Sequence, residues 1–338
     1  MQQFKVWIIL ISVWIIIASS YPAIKIAVET IPPILMEGIK STFGGLILFL
    51  IFKISLFKFF KNTGMTKDEC LLQENGQEKN ISQIISKNQW KTAIIISIAL
   101  VVCGRGLIAF GEQYLSSDLS VLVYSTLPIW TILLGNIFYG LKLNKFTLLG
   151  AFIGMIGLVI LLFPTIETIY LGTQNSTVRF EIFGIFSLLI AAISWSIGSL
   201  YSNKTELPSS ILLSTGMWLF AGGLLSIVIS IIIGELNTFE LSEISFSSLV
   251  AFLYLSTINT GGIVGFFWIL RKTTATLANT YAYVAPAIAV FLGWAILDEN
   301  INFRMIIAAI IILIGVIMIA NKDKIRRSRR VDTNHNDN

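Results

Sequence analysis

The chain has 338 residues, of which 55% are hydrophobic and only 13% charged, and its mean hydropathy is +0.81. A water-soluble fold could not hide so much apolar surface, so this composition excludes an ordinary soluble protein and indicates a bilayer as the solvent. The net charge of +5 lies in loops and in a C-terminal tail, which argues against a nucleic-acid-binding surface.

Unbroken apolar stretches bounded by charged residues predict about ten membrane spans at roughly 20 residues each. The first five lie at about 6–27, 34–54, 91–113, 118–139 and 145–163. The second five lie at about 182–202, 209–233, 247–269, 275–297 and 303–321. The connections are short except for a polar loop at 57–89. The predicted fold class is therefore an all-α integral membrane protein with ten transmembrane helices.

The two groups of five spans have similar sequences. The matching stretches are Tyr124–Gly135 with Ala282–Gly293, Gly157 with Gly315, and, once the long polar loop is allowed for, Gly44–Leu46 with Gly222–Leu224. Two homologous hydrophobic halves are how secondary transporters are built, with the substrate site at the repeat interface near the bilayer midplane. The repeat therefore predicts a carrier.

Basic residues are distributed unevenly between the two sides of these spans. Nineteen Lys and Arg residues fall on the side of the two termini, four fall on the opposite side, and Arg105 lies inside a span. By the positive-inside rule, both termini are predicted to be cytoplasmic in a multi-pass protein of the plasma membrane of a bacterial-type cell.

The sequence lacks the usual residues of an intramembrane enzyme. The sole histidine, His335, lies in the tail, and the spans contain no paired aspartates. Cys70 lies in the polar loop and Cys103 in a span, so neither a disulfide framework nor a metal or cofactor site is predicted.

Arg105 lies past the middle of the third span, between Gly104 and Gly106. A charge at that depth costs ~2.5–3.5 kcal/mol on insertion scales, so such residues usually face the bundle interior and have a partner. The planar guanidinium suits a substrate carboxylate or phosphate. The alternative is a structural arginine bonded to helix-break carbonyls or to Glu37 or Glu112.

Several aromatic residues within the spans are candidates for the wall of a substrate pocket. They are Trp14, Tyr124, Trp195, Tyr281 and Tyr283. Together they would suit a flat or apolar solute, although ordinary helix packing explains each of them equally well.

Three prolines, Pro22, Pro128 and Pro286, each remove an intrahelical hydrogen bond and are candidate gate or hinge residues. Pro128 and Pro286 occupy equivalent positions in the two halves, which predicts a matched pair of bends. Gly150, Gly154 and Gly157 give the fifth span a close-packing face, for a helix of the same chain or for a second subunit in a homodimer.

Two pairs of opposite charges lie near the predicted outer ends of the first two spans. Lys25 and Glu29 are four residues apart, and Glu37 and Lys40 are three apart, so each pair can neutralise itself on its helix. The functional alternative is an outer vestibule in which Lys25 and Lys40 attract an anionic or zwitterionic solute.

The sequence resembles the EamA-type branch of the drug/metabolite transporter superfamily over residues 6–321. The stretches that carry this resemblance are Ala18–Ala27 with Ile31–Pro33, Gly111–Pro128, Ala191–Gly198 and Ala282–Gly315. The resemblance implies two inverted five-helix repeats, at 1–163 and 182–321, followed by the basic tail 322–338. It also implies transport, most often export, of a small amphiphilic metabolite such as an amino acid.

Two positions depart from the family pattern, at Ile17-Ala18 and near Leu141-Lys142, whereas the second half keeps its acidic residue as Glu299. The alternative solutes are anionic or phosphorylated metabolites such as sugar nucleotides, which would need more deep cations than Arg105. A channel is the remaining alternative. The expected partners are a small-molecule solute and membrane lipids, with no nucleic acid and no cofactor.

Overall fold

A computed structural model of the chain shows a bundle of apolar helices. It describes residues 2–63, 72–74, 77–79, 86–140, 145–170, 176–202, 204–237, 239–272, 281–298, 302–315 and 317–318. Seven of the helices in this part of the chain are long and apolar enough to cross a membrane, and three shorter apolar helices accompany them. Each of the ten predicted spans overlaps a helix in its described residues, but only the seven long helices are confirmed as candidate membrane spans; the tail 322–338 lies outside the described residues.

The helices are numbered in chain order. The first five are α1 (Gln2–Ala27), α2 (Pro33–Thr63), α3 (Lys87–Glu112), α4 (Ser117–Tyr124 and Leu127–Tyr139) and α5 (Lys145–Tyr170). The second five are α6 (Ser176–Ser202), α7 (Ile211–Ile233), α8 (Phe246–Tyr254, Leu255–Asn259 and Thr260–Lys272), α9 (Tyr281–Leu297) and α10 (Phe303–Gly315). Two short 3₁₀ turns, Glu235–Asn237 and Leu241–Glu243, follow α7.

The polar loop predicted at 57–89 is shorter than expected, because helix continues into it from both ends. Hydropathy marks where the apolar stretch stops, but α2 runs on to Thr63. The helix α3 begins after Ser86, whose Oγ accepts a hydrogen bond from Gln89 N while Gln89 Oε1 accepts one from Ser86 N. Between the two helices, β1 (Leu72–Glu74) pairs antiparallel with β2 (Gln77–Lys79).

Two of the helices contain π-helical segments, and both are the third helix of their half. In α3 the segment is Ile98–Gly106, and in α8 it is Leu255–Asn259. π-Helical turns are rare and occur frequently at functional sites. Here they carry Arg105 and Asn259, which face each other across the bundle.

The helices α2 and α7 pack backbone against backbone through glycines. A Cβ atom on Gly45 would lie 3.0 Å from the Gly216 carbonyl oxygen, and one on Gly223 would lie 2.8 Å from the Gly38 carbonyl oxygen. In the alignment of the two halves, Gly38 corresponds to Gly216 and Gly45 to Gly223. The contacts are therefore reciprocal, and the two helices run antiparallel.

The last helices of the two halves, α5 and α10, repeat this arrangement. A Cβ atom on Gly157 would lie 3.1 Å from the Ala308 carbonyl oxygen, and one on Gly315 would lie 2.5 Å from the Gly150 carbonyl oxygen. These residues also correspond in pairs between the halves. The glycine face of the fifth span thus packs within the chain, and it gives no support to a dimer.

The Gly315→Ala variant should lower the thermal unfolding temperature of the detergent-solubilised protein. The added methyl group would meet only backbone, 2.5 Å from Gly150 O and 2.6 Å from Gly154 N. Overpacking of this kind costs about 1–3 kcal/mol. The matched control is Gly261→Ala, because nothing lies within 4 Å of a Cβ atom at that position. Equal unfolding temperatures for the two variants would contradict the close contact.

Candidate functional site

A cavity lies in the middle of the bundle, between helices of both halves. The space between its walls amounts to about 610 Å³, with the open side included. Its walls come from α1, α3 and α4 in the first half and from α6, α8 and α9 in the second. The lining residues are Ile17, Ser20, Tyr21, Ile24, Arg105, Ile108, Tyr124, Trp195, Asn259, Ile263, Phe266 and Tyr281.

Arg105, in the π-helical segment of α3, is 7% exposed and lines this cavity. Its Nε lies 3.3 Å from Glu37 Oε1, and its Nη2 donates a hydrogen bond of 2.8 Å to Asn259 Oδ1. Its Nη1 has no hydrogen-bond partner among the described residues. The structural role predicted for Arg105 is confirmed, since Glu37 and Asn259 hold two of its nitrogens. Nη1 is buried without a partner among the described residues, and the substrate-binding role of Arg105 remains a prediction.

The pair Glu37 and Lys40 forms a buried ion pair on α2, with the side chains 0% and 1% exposed. Ser41 Oγ also donates a hydrogen bond of 2.5 Å to Glu37 Oε1. The predicted pairing of Glu37 with Lys40 is thus confirmed. The placement of Lys40 in an outer vestibule is wrong, because α2 packs with this face towards the interior, where a cation needs a carboxylate beside it.

The predicted pairing of Lys25 with Glu29 is wrong. Lys25 Nζ instead donates to the main-chain oxygens of Glu112, at 2.7 Å, and of Leu115, at 2.8 Å, and Glu29 is exposed. The last carbonyls of a helix have no partner within it and carry a partial negative charge, so they attract a cation. Lys25 therefore joins α1 to the end of α3.

Three of the aromatic residues predicted for the pocket, Tyr124, Trp195 and Tyr281, are brought together in the cavity wall. Trp195 packs over Gly104, where a Cβ atom would lie only 3.3 Å from the indole Cε3. The absence of a side chain at Gly104 thus leaves space for this ring beside Arg105. Trp14 packs against the apolar core and is not a lining residue, and the side chain of Tyr283 lies outside the described part of the chain.

Other residues of the cavity were not singled out from the sequence. Tyr21 lies 6.2 Å from Tyr124 between ring centroids, and Phe266 makes an edge-to-face contact with Tyr281 at 5.6 Å. Asn259, only 4% exposed, holds Arg105. A signal for Asn259 was present, because a polar side chain in the middle of an apolar span commonly bonds to a neighbouring helix.

The two repeat-equivalent prolines, Pro128 and Pro286, lie in different helical contexts, and the matched pair of bends remains a prediction. Ser125 and Thr126 interrupt α4 directly before Pro128, which lies in the first turn of the next helical segment, where a missing N–H has no cost. By contrast, α1 continues through Pro22 and α9 through Pro286. A gating role for these residues remains a prediction.

The charged groups in the described cavity wall are of one sign. Among its described lining residues, Arg105 carries the only formal charge. The tyrosines Tyr21, Tyr124 and Tyr281 add neutral hydroxyl groups, and the remaining walls are mostly apolar. Such a cavity has the chemistry of a small-molecule binding site, with an apolar body and a few polar groups that fix orientation.

Membrane-length apolar helices around a mostly apolar cavity with a few polar groups fit a membrane transporter. Residues 75–163 and 182–321 match the EamA-like transporter family, and the chain belongs to this family. The uncharacterized transporter YoaV of Bacillus subtilis (strain 168) is 27% identical over 93% of this chain and 96% of its own length. The inner membrane transporter YedA of Escherichia coli (strain K12) is 25% identical over 92% and 89%.

A solved crystal structure has the same fold. It superimposes with a TM-score of 0.53 over 93% of this chain and 96% of its own, at 16% sequence identity.

Within the described residues, no group of three or more His, Cys, Asp or Glu side chains could hold a metal ion.

Proposed function

We propose that the protein is a secondary carrier that exports a small amphiphilic metabolite, such as an amino acid or a related compound, across the plasma membrane. The observation that carries this proposal is the central cavity, in which Arg105 Nη1 is unbonded and the walls are aromatic and aliphatic. Family membership supports transport, and the name of YedA supports an inner membrane location. The charge asymmetry of the loops supports cytoplasmic termini.

We further propose that ten spans form two inverted repeats that give alternating access. The reciprocal, antiparallel glycine contacts of α2 with α7 and of α5 with α10 support this arrangement. A two-fold axis in the membrane plane produces contacts of this kind. The cavity is lined by the six remaining helices, three from each half. Rocking of one half against the other would then expose the cavity to each side in turn.

A phosphorylated solute is less well supported than a singly charged one. A phosphate group would need more than one available cation near the cavity. Lys40, the nearest further candidate on α2, is already bound to Glu37.

Distances measured on the two faces test this carrier mechanism. Spin labels at Gln113 and Glu240 would report the outer face, and labels at Lys145 and Lys204 the inner face; each pair joins the two halves at exposed positions. Pulsed distance measurements on reconstituted protein should show the two pairs changing in opposite senses between conditions. An increase on both faces together, or no change with any solute, would count against a carrier and favour a channel.

A further inference from the structure

We infer that the cavity selects a flat, apolar monocarboxylate and discriminates against the amino acid of the same shape. This inference rests on the proposed carrier function and narrows its solute class from amino acids and related compounds to those related compounds that have the carboxylate but no ammonium group. It is carried by the balance of charges around Arg105 and by the polar groups of the cavity wall.

The charged side chains around the cavity leave one positive charge in excess. Lys40 and Glu37 form an ion pair. Its net charge is zero whether the shared proton is on the lysine amine or on the glutamate carboxyl group. Lys25, which binds main-chain oxygens at the end of α3, and the buried Glu112 at the same end add one charge of each sign to the count. Arg105 remains, and in a medium of low dielectric constant an unbalanced cation strongly favours the uptake of one negative charge.

The geometry of Arg105 limits how that negative charge can bind. Glu37 and Asn259 hold Nε and Nη2, which fixes the plane of the guanidinium. Nη1 is the one guanidinium nitrogen without a partner among the described residues; it is buried, so a solute carboxylate would reach it only by displacing the side chains that cover it. One nitrogen with its N–H groups suits a carboxylate bound at its end, and the aromatic walls suit a flat ring behind it.

The same wall offers no counter-charge for an ammonium group. None of the described lining residues is an Asp or Glu. The Asn259 side-chain oxygen accepts from Arg105, and the hydroxyl groups of Ser20 and of the tyrosines can accept a hydrogen bond but carry no charge to neutralise an ammonium group. Because burying a cation without an anion is costly, an amino acid should bind more weakly than the carboxylate that lacks its ammonium group.

Four matched probes test this selectivity on the purified full-length protein by calorimetric titration. They are 3-phenylpropanoate, phenylalanine, 3-phenylpropanamide and 2-phenylethylamine, which share a ring and differ in their charged groups. We expect the dissociation constant of 3-phenylpropanoate to be lower than that of each other probe by a factor of about ten or more. Tighter or equal binding of phenylalanine overturns the inference and leaves the carrier function standing.

A charge substitution tests the same argument from the side of the protein. The Asn259→Asp variant places a carboxylate on Arg105 at nearly unchanged shape and cancels the excess charge. We expect the affinity for 3-phenylpropanoate to fall about tenfold or more. The control is Asn237→Asp at an exposed position outside the cavity, which should bind like the wild type. Unchanged affinity of Asn259→Asp overturns the inference.

Two outcomes separate this inference from the carrier proposal. If none of the four probes binds, the monocarboxylate class is overturned, while opposite distance changes on the two faces would still support a carrier. If Asn259→Asp does not fold, the order of affinities in the wild-type protein decides the question by itself.

Discussion

The Arg105→Gln variant is expected to reduce transport by roughly 10- to 100-fold, because a hydrogen bond to a charged group contributes about 1.5–3 kcal/mol. Glutamine removes the charge and the unpartnered Nη1 donor from a residue that lines the cavity, whereas Glu37 keeps Lys40 and Ser41 as partners. Arg105→Lys keeps the charge but loses the planar fork, so it should transport at an intermediate rate.

Solute uptake into proteoliposomes, normalised to the amount of folded protein, provides the measurement. The matched control is Arg179→Gln, because Arg179 is exposed at the start of α6 and does not line the cavity. Size-exclusion profiles should show that all four proteins are folded. Normal transport by Arg105→Gln would mean that Arg105 is structural and that the solute binds elsewhere.

The Glu37→Gln variant should be the most destabilising single substitution in the charged cluster. It leaves Lys40 and Arg105 buried without a carboxylate, and removing one partner of a buried ion pair costs about 3–5 kcal/mol. The free energy of unfolding, measured by denaturant titration in mixed micelles, should fall accordingly. Lys40→Met should cost less, because Glu37 retains Arg105 and Ser41.

The double variant Glu37→Gln with Lys40→Met supplies the control. The double substitution removes one charge of each sign, so the net charge of the cluster does not change. Arg105 remains as the single excess cation. The double variant's loss of stability should be clearly smaller than the sum of the two single losses, since residues in one ion-pair network do not behave additively. Additive losses would show that the two side chains do not depend on each other.

The positions of the spans and part of the cavity could be predicted from the sequence because both depend on properties of individual residues. Bilayer solvation marks the helices, and the high cost of an intramembrane charge marks Arg105. Tyr124, Trp195 and Tyr281 also lie in the cavity, as expected for amphipathic aromatic rings within spans.

The partners of the charged residues could not be predicted, because they depend on how the helices meet. Spacing along a helix permitted a pair between Lys25 and Glu29, but it could not reveal that the end of α3 offers Lys25 two carbonyl groups. Likewise, the sequence alone could not show that π-helical turns bring Asn259 to Arg105. Tertiary contacts decided both cases.

The reciprocal glycine contacts have a consequence for the energy of the two access states. Two halves related by a two-fold axis can exchange conformations at equal free energy only where their sequences match. At the position of Glu37 the second half has Thr215, and at that of Arg105 it has Ile263. The charged cluster therefore belongs to one half alone, so in the carrier proposed above the two access states would differ in free energy when the cavity is empty.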